Sequence, residues 1–417
     1  MSRKKKGPPP GSGQPLVSIV VTAYNHLEYT RQCIDCLYQY TSHIPFELIV
    51  INNGSTDGTE EYFASLKDAK KITFAQNMGV DTAVNSGFAI ARGLYTLNLS
   101  NDILVTHRWL DNLLACIQSD PRIGMVVPVC NASSGYQQVN LNYKTLDEMQ
   151  QMAARYNRVS DPAKWEDRLR LITYTCLFPT HLQKELGGFD EHFNPGGFDD
   201  DAMAFRIRRM GYRLVLAGDT FVHHFGSVTF SAEYTKNNLL ERNRNLFFQK
   251  FGVDAWSVTA VDFHVLSLAD SSRKGSIKLL GLGQSCGGTL LQMKNLYRRQ
   301  GQTDVELYYL AQRESQLPDL QTICRQAACA PVSQLTPLFG GRLYDQIVVE
   351  SETHGFEDPG AVFVRLKALL APGGRLIFTC AQLKTFLAIL RGLQISDVGC
   401  LNTVNDYYFC YTGQKPQ

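Results

Sequence analysis

Three consecutive carboxylates, Asp199-Asp200-Asp201, and a histidine pair, His223-His224, stand in one stretch running from Gly187 to Ser227. Such side chains do two kinds of chemistry: a carboxylate takes a proton from a hydroxyl, and carboxylate with imidazole holds a divalent cation. Met203, Phe205, Ile207 and Met210 alternate with Arg206, Arg208 and Arg209 ahead of Gly211, as in a helix with one buried side and a C-terminal glycine. The aspartates therefore begin that helix, where backbone N–H groups stabilise anions. Capping accounts for one of the three, with Asp201 the candidate, but it does not require all of them. Arg206 and Arg209 read as the solvated face of the same helix. Tyr212–Ala217 then reads as a strand, Gly218-Asp219 as a turn and Phe221-Val222 as a second short strand. A histidine at a strand end is ordinarily hydrogen-bonded or solvated. Facing an acidic cluster, His223 or His224 becomes a candidate metal ligand.

The elements that must position these groups come earlier. Leu16–Val21 is a buried-type strand, followed by Thr22-Ala-Tyr-Asn25 and a helix from Leu27 to Tyr40. Phe46–Ile51 is a second strand, entering the polar glycine loop Asn52–Thr59. A third unit has strand Ile72–Ala75, the turn Asn77-Met-Gly79, helix Asp81–Ala91, and strand Tyr95–Leu99 ending in Ser100-Asn101-Asp102. Strand–helix alternation predicts a parallel sheet with its ligand at the carboxyl ends of the strands, where all these loops lie. There Asp102, opposite Asp199–Asp201, is well placed to hold a divalent cation.

The blocks VSIVVTAYN, ELIVINNGSTDGTEEY, NMGVDTAVNSGFAIARG, LNLSND and GGFDEHF…GFDDD…RIRRMGYRL…HHFGS, in this order, resemble a family-2 glycosyltransferase of the GT-A fold over about Pro15 to Gly252. The resemblance implies an α/β domain that moves a sugar from a nucleotide-diphosphate donor with inversion at the anomeric carbon. Nucleotide-sugar contacts then fall on Thr22, Tyr24, Asn25, Asn52 and Ser55, and further along on Asn77, Gly79, Asn101 and Asp102. The metal motif falls on Ser100-Asn101-Asp102, the distal histidine on His224, and the catalytic base on the Asp199-Asp200 pair. Asp200 is taken as the base and Asp199 as its orienting neighbour. The chain departs from the usual pattern at Thr22, Asn52 and Ser100, which leaves Asp102 as the strong ligand of its motif. One carboxylate, a histidine, water and donor phosphate oxygens still suffice for Mg²⁺ or Mn²⁺. The implied acceptor is a hydroxyl of a glycan, a glycolipid or a protein.

With 417 residues, 44% of them hydrophobic, and a formal net charge of +2, the chain is too long for one ordinary domain and too balanced for a nucleic-acid binder. Its eleven cysteines are scattered, and the close pair Cys33/Cys36 falls within a helix, where the core reading prevails over a redox motif. Free thiols point to a cytoplasmic protein. The opening MSRKKKGPPPGSGQP, read as a disordered basic tail over residues 1–14, has charges but no apolar run after them. Contact with a membrane is thus at most peripheral, at the inner face.

After the transferase-like region (15–252) and a bridging segment (253–275), residues 276–417 begin again. Strand Ile277–Gly283 enters the glycine loop Gln284–Gly288, then come helix Leu290–Gln300, strand Val305–Leu310, strand Tyr344–Glu350, helix Pro359–Leu370 and a turn and strand over Leu370–Phe378. This is a second, smaller Rossmann-like sheet. It resembles the class I S-adenosylmethionine-dependent methyltransferase fold, most clearly in YDQIVVESETHGFEDPGAVFVRLKALLAPGGRLIF. Where that resemblance expects acids for the methionine amine and the ribose, the chain has Gly281 and Leu310-Ala-Gln312. S-adenosylmethionine is therefore not expected to bind, and the domain reads as a degenerate one that docks the acceptor, orients it or joins copies of the chain. Glu350, Glu352 and His354 are candidates for lining an acceptor or partner site, against the plainer reading of a polar loop.

Overall fold

The computed structural model describes residues 13–226, 238–350, 359–380, 391, 398–402 and 407–413. Residues 1–12 of the basic tail, Ser227, Glu352 and His354 lie outside them. The chain divides into two compact units, Met1–Lys250 and Phe251–Gln417.

The first unit runs β1 (Val17–Ala23), α1 (Leu27–Thr41), β2 (Phe46–Asn53), α2 (Thr59–Ser65), β3 (Ala69–Phe74), α3 (Val80–Ala89), β4 (Tyr95–Ser100) and β5 (Ile103–Leu104). It continues through α4 (Trp109–Ser119), β6 (Ile123–Cys130), α5 (Leu146–Tyr156), β7 (Trp165–Arg168), β8 (Thr175–Pro179), α6 (Thr180–Leu186), α7 (Asp199–Arg209), β9 (Arg213–His224) and α8 (Leu239–Phe251). These strands form one mixed sheet in the order β3-β2-β1-β4-β8-β6-β9-β5, with β7 on β9. Continuous apolar runs such as Ile19–Val21 and Leu48–Ile51 are buried from end to end, as strands covered on both faces require. β1 pairs in parallel with both β2 and β4, so their three carboxyl ends open side by side. α1 covers this sheet with Thr30, Cys33, Ile34, Leu37 and Thr41, a stripe at helical spacing. Cys33 is thus core, and both it and Cys36 are free thiols.

Two local expectations change. β2 extends through Asn52 and Asn53, both buried, so these asparagines belong to the strand and the loop starts at Gly54. Gly218-Asp219 is no turn, because β9 runs unbroken from Arg213 to His224. Asp219 is fully buried and accepts from Trp165 Nε1 at 2.8 Å and Asp161 N at 2.7 Å, which satisfies its charge inside the unit. The extra residues become a bulge, where the pairing with β6 jumps from Pro128↔Ala217 to Val129↔Phe221.

The second unit has a seven-stranded sheet built from β10 (Ile277–Gly283), β11 (Val305–Ala311), β12 (Gln326–Cys329), β13 (Tyr344–Val349), β14 (Leu370–Cys380), β15 (Val398–Asn402) and β16 (Tyr407–Thr412). Its order is β12-β11-β10-β13-β14-β16-β15; the first five are parallel, and β16 is antiparallel to both β14 and β15. The segment expected to bridge the halves carries helices Ala255–Val258 and Phe263–Leu268 and packs within this unit. Cys286 N donates to Val258 O at 2.7 Å, and Tyr297 OH to Asp270 O at 2.6 Å. Leu370–Phe378 is one strand, without the expected turn. Among the described residues no helix is long and apolar enough to cross a membrane.

Candidate active site

A cavity of about 250 Å³ opens at the carboxyl ends of β1, β2 and β4. Thr22 and Tyr24 enter it from β1 and its loop, Asn53 from β2, and Ser100-Asn101-Asp102 from the end of β4. Asp199 and Asp200 close it from the first turn of α7, and His224 from the end of β9.

Strand pairing creates the acid–imidazole contact. β5 pairs antiparallel with β9, setting Ile103 opposite His224, and Phe225 N donates to Asp102 O at 3.1 Å. His224 Nε2 consequently lies 3.1 Å from Asp102 Oδ2. Its Nδ1 faces the carbonyl of Ala132 at 2.6 Å, and a carbonyl only accepts, so Nδ1 carries the proton and Nε2 is the nitrogen turned to Asp102. Asn131 brackets the His224 backbone on both sides, and Tyr174 stacks on the ring at 5.6 Å between centroids. Burial, the largest single influence, works against a charge on His224, but the hydrogen bond to Asp102, the Asp102 charge and the contacts with Cys130 and the Ala132 carbonyl together outweigh it, and the imidazole is pushed up to about 10. His223 goes the other way: burial, then the charge of His224, lowers it to about 4, and its Nδ1 meets Tyr143 OH at 2.6 Å. Of the two histidines, His224 is the one beside Asp102.

The three aspartates of α7 have separate fates. None caps the helix through its side chain; the cap position is Phe198 in left-handed backbone. Asp201 is buried and paired with Arg170, Nε to Oδ1 at 2.5 Å, so it is a structural ion pair and not the expected cap. Asp199 Oδ1 accepts from Gly197 N at 2.6 Å. Asp200 Oδ1 accepts from Thr173 N at 3.0 Å and from the Thr173 hydroxyl, just before β8. Burial raises the Asp199 carboxyl, and burial together with the Asp199 charge raises that of Asp200. Arg206 points away from this chemistry and donates to the carbonyls of Gly188 and Leu186.

Thr22, Tyr24, Asn77, Asn101, Asp102, Asp199, Asp200 and His224 therefore share one cavity. Asn25, Asn52, Ser55 and Gly79 are not in its lining. Asn25 N donates to Ser55 Oγ at 2.8 Å and Ser55 N to Asn52 Oδ1 at 2.9 Å, so these three tie the first two loops together. Asn53 was not singled out, yet it lines the cavity and clamps the next turn, donating to Asn77 Oδ1 at 2.9 Å and accepting from Met78 N at 2.9 Å. Thr173, Tyr174 and Asp81 were missed as well. Asp81 is 2% exposed at the start of α3 and lines the cavity, and burial, then the charges of Asp199 and Asp200, raise its carboxyl. A position two residues into a helix carries no sign of the carboxylates it faces.

Among the described residues no three His, Cys, Asp or Glu side chains converge as a cage for a metal ion. Asp102 and His224 form a two-ligand set that fits Mg²⁺ or Mn²⁺ if phosphate oxygens and water complete the shell and the cation displaces the Nε2 proton shared with Asp102, since the Ala132 carbonyl keeps the other proton on Nδ1.

Residues 18–176 match the family model described as glycosyl transferase family 2, a stretch that includes Asp102 and ends before the Asp199-Asp200 pair. An uncharacterised glycosyltransferase of Rickettsia typhi is 28% identical over 179 residues, 42% of this chain and 54% of that protein. Validoxylamine A glucosyltransferase of Streptomyces hygroscopicus subsp. jinggangensis is 24% identical over 232 residues, 50% of this chain and 54% of the relative. The chain thus spans about half the length of these curated relatives. A solved mannosyltransferase from Pyrobaculum calidifontis, in complex with GDP-Man and Mn²⁺, is similar at 23% identity and a TM-score of 0.37, covering 51% of this chain and 57% of that one. The segment 18–176 of this chain is a glycosyl transferase family 2 domain.

Proposed function

We propose that the first unit is an inverting GT-A glycosyltransferase that moves a sugar from a nucleotide-diphosphate donor to an acceptor hydroxyl, with Asp200 as general base. The observation that carries this reading is the meeting, in one cavity at the carboxyl ends of β1, β2 and β4, of Asp200 held by Thr173 and of the Asp102–His224 pair. Asp200 takes the proton of the attacking hydroxyl while the oxygen forms its bond to the anomeric carbon and the bond to the diphosphate breaks on the opposite face. Its raised carboxyl suits it to that task, because a base poised near neutrality drives proton transfer better than an ordinary aspartate. Asp199, fixed by Gly197 N, keeps a second negative charge beside the base and stands ready to accept from an acceptor hydroxyl. Thr22, Tyr24, Asn77 and Asn101 line the same cavity as polar contacts for the nucleotide and its sugar. Asp102 and His224 would hold the divalent cation, which when bound neutralises charge on the departing diphosphate.

The second unit supports a non-methylating role. Its strand order reverses at β10, whose neighbours are β11 and β13, and a ligand of such a sheet enters beyond the carboxyl ends at that point. Here the chain's own groups pair with one another. Gln316 donates to the carbonyls of Gly283 and Ser285, and Glu350, following β13, accepts from Ser285 Oγ and from Tyr309 OH at 2.5 Å. A Cβ at Gly281 would stand 2.5 Å from the Tyr309 ring, so no acid fits there. A role in holding the acceptor, a glycan, glycolipid or protein, remains for this unit, or in joining copies of the chain.

Incubating the full chain with a panel of nucleotide sugars, with Mn²⁺ or with a chelator, tests the transferase reading. Cation-dependent release of nucleoside diphosphate is expected with at least one donor; no release from any of them rejects it.

A further inference from the structure

Asp81 is the one lining carboxylate that the proposed chemistry does not use. Its side chain is 2% exposed, and its Oδ2 has no hydrogen-bond partner among the described residues. An unpaired carboxylate oxygen at such depth is costly, and a fold with no use for it would place an apolar residue there. None of the residues lining the cavity is a lysine or arginine, and its one histidine is engaged with Asp102. Asp81 also cannot easily turn away. Its backbone N donates to Asn194 Oδ1 at 3.0 Å, Asn194 donates to Thr82 Oγ1 at 2.9 Å, and Thr82 donates to Glu191 at 2.8 Å. The first turn of α3 is thereby fastened to residues 191–194 with the carboxylate facing the cavity that Asp199 and Asp200 share.

We propose that Asp81 is a specificity-determining residue whose free oxygen accepts a hydrogen bond from a donor group, hydroxyl or amino, on the ring of the transferred sugar. The idea rests on the transferase reading above. The nucleotide's phosphates are not the partner proposed, because the Asp102–His224 end of the cavity already suits them. A sugar ring instead presents hydrogen-bond donors that a buried acceptor discriminates by their presence and position.

The test compares the wild-type chain with Asp81→Asn and Asp81→Ala, using the nucleotide sugar that the wild type turns over best and the corresponding bare nucleoside diphosphate. Calorimetry in Mn²⁺ should show the Asp81→Ala affinity for the nucleotide sugar falling about tenfold or more, with the affinity for the diphosphate unchanged. Asp81→Ala should melt higher than the wild type, since it removes a buried polar atom that has no hydrogen-bond partner, whereas a merely structural aspartate would melt lower when replaced. Parallel losses for sugar and bare diphosphate, or no loss for either, overturn the assignment while leaving the transferase reading standing. A wild-type chain that binds and turns over no nucleotide sugar rejects that reading, and this inference with it.

Discussion

Asp200 and Asp102 are given different work, and single substitutions separate them. Asp200→Asn keeps the acceptor oxygen for Thr173 but cannot take a proton, so transfer should fall by about two to four orders of magnitude with little change in donor affinity. A larger loss from Asp199→Asn would exchange the two roles. The Asp200 carboxyl is raised to about 8 by burial and then by Asp199. Wild-type kcat/KM should accordingly climb with pH up to about 8 and level off, and the Asn variant should lose that rise. Stability moves the opposite way. A carboxyl that binds its proton more tightly folded than unfolded weakens the fold as pH rises from the ordinary aspartate range to about 8. Asp200→Asn should therefore melt higher than the wild type at pH 9, with the gap closing toward pH 4, as calorimetric melting would show. Asp102→Ala removes the carboxylate of the two-ligand set. It should abolish cation-dependent nucleotide binding and cut turnover by about a hundredfold or more while far-UV circular dichroism stays unchanged. Wild-type turnover by this variant in chelator would remove Asp102 from the metal site.

The elements that carry these residues show what a sequence reveals and what it withholds. The strands β1, β2 and β4 and the helix α7 are announced by local patterns, buried apolar runs and a glycine-ended amphipathic stretch, so Asp102 and Asp199-Asp200 could be placed at their ends from the chain alone. Asn53, Thr173 and Asp81 could not, since each acts through neighbours far along the chain: Thr173 meets Asp200 across 27 positions, and the Asp81 backbone meets Asn194 across 113. The Gly218-Asp219 signal misleads for a related reason, because the partners that let Asp219 lie inside β9 come from a separate segment. Beyond its first turn α3 is held to the neighbouring turn by Asn85, which accepts from Phe189 N at 2.8 Å and donates to Phe189 O at 2.9 Å. Gly188, at φ 81°, permits the approach, since a Cβ there would stand within 2.7 Å of the Asn85 amide carbon. Asn85→Ala leaves both Phe189 backbone groups without these partners and should cost about 1–3 kcal/mol in urea denaturation. A loss below about 0.5 kcal/mol would mean that the turn is held by other contacts.

Each half of the molecule has its own sheet and its own buried core, and their sequences are informative to different degrees. The first carries family blocks in which chemistry and fold coincide. The second carries a doubly wound sheet in which Gly281 and Gln312 stand where the resemblance leads one to expect acids, and there Gln316 donates to Ser285 O and Ser285 Oγ to Glu350. Calorimetry on the full chain should accordingly detect no S-adenosylmethionine binding in the micromolar range. Tight binding, or methyl transfer to a glycan, would make the protein bifunctional and overturn the non-methylating role.

The central claim is that one cavity holds both the nucleotide diphosphate and the base that activates the acceptor. A crystal structure of the chain with Mn²⁺ and a nucleoside diphosphate, read by the anomalous signal of manganese, tests it directly. The cation should be found on Asp102 and His224 with diphosphate oxygens completing its shell, the nucleotide running toward Thr22 and Tyr24, and Asp200 open to the space beyond the phosphate. Manganese bound elsewhere, or a nucleotide seated outside the ends of β1, β2 and β4, would contradict it.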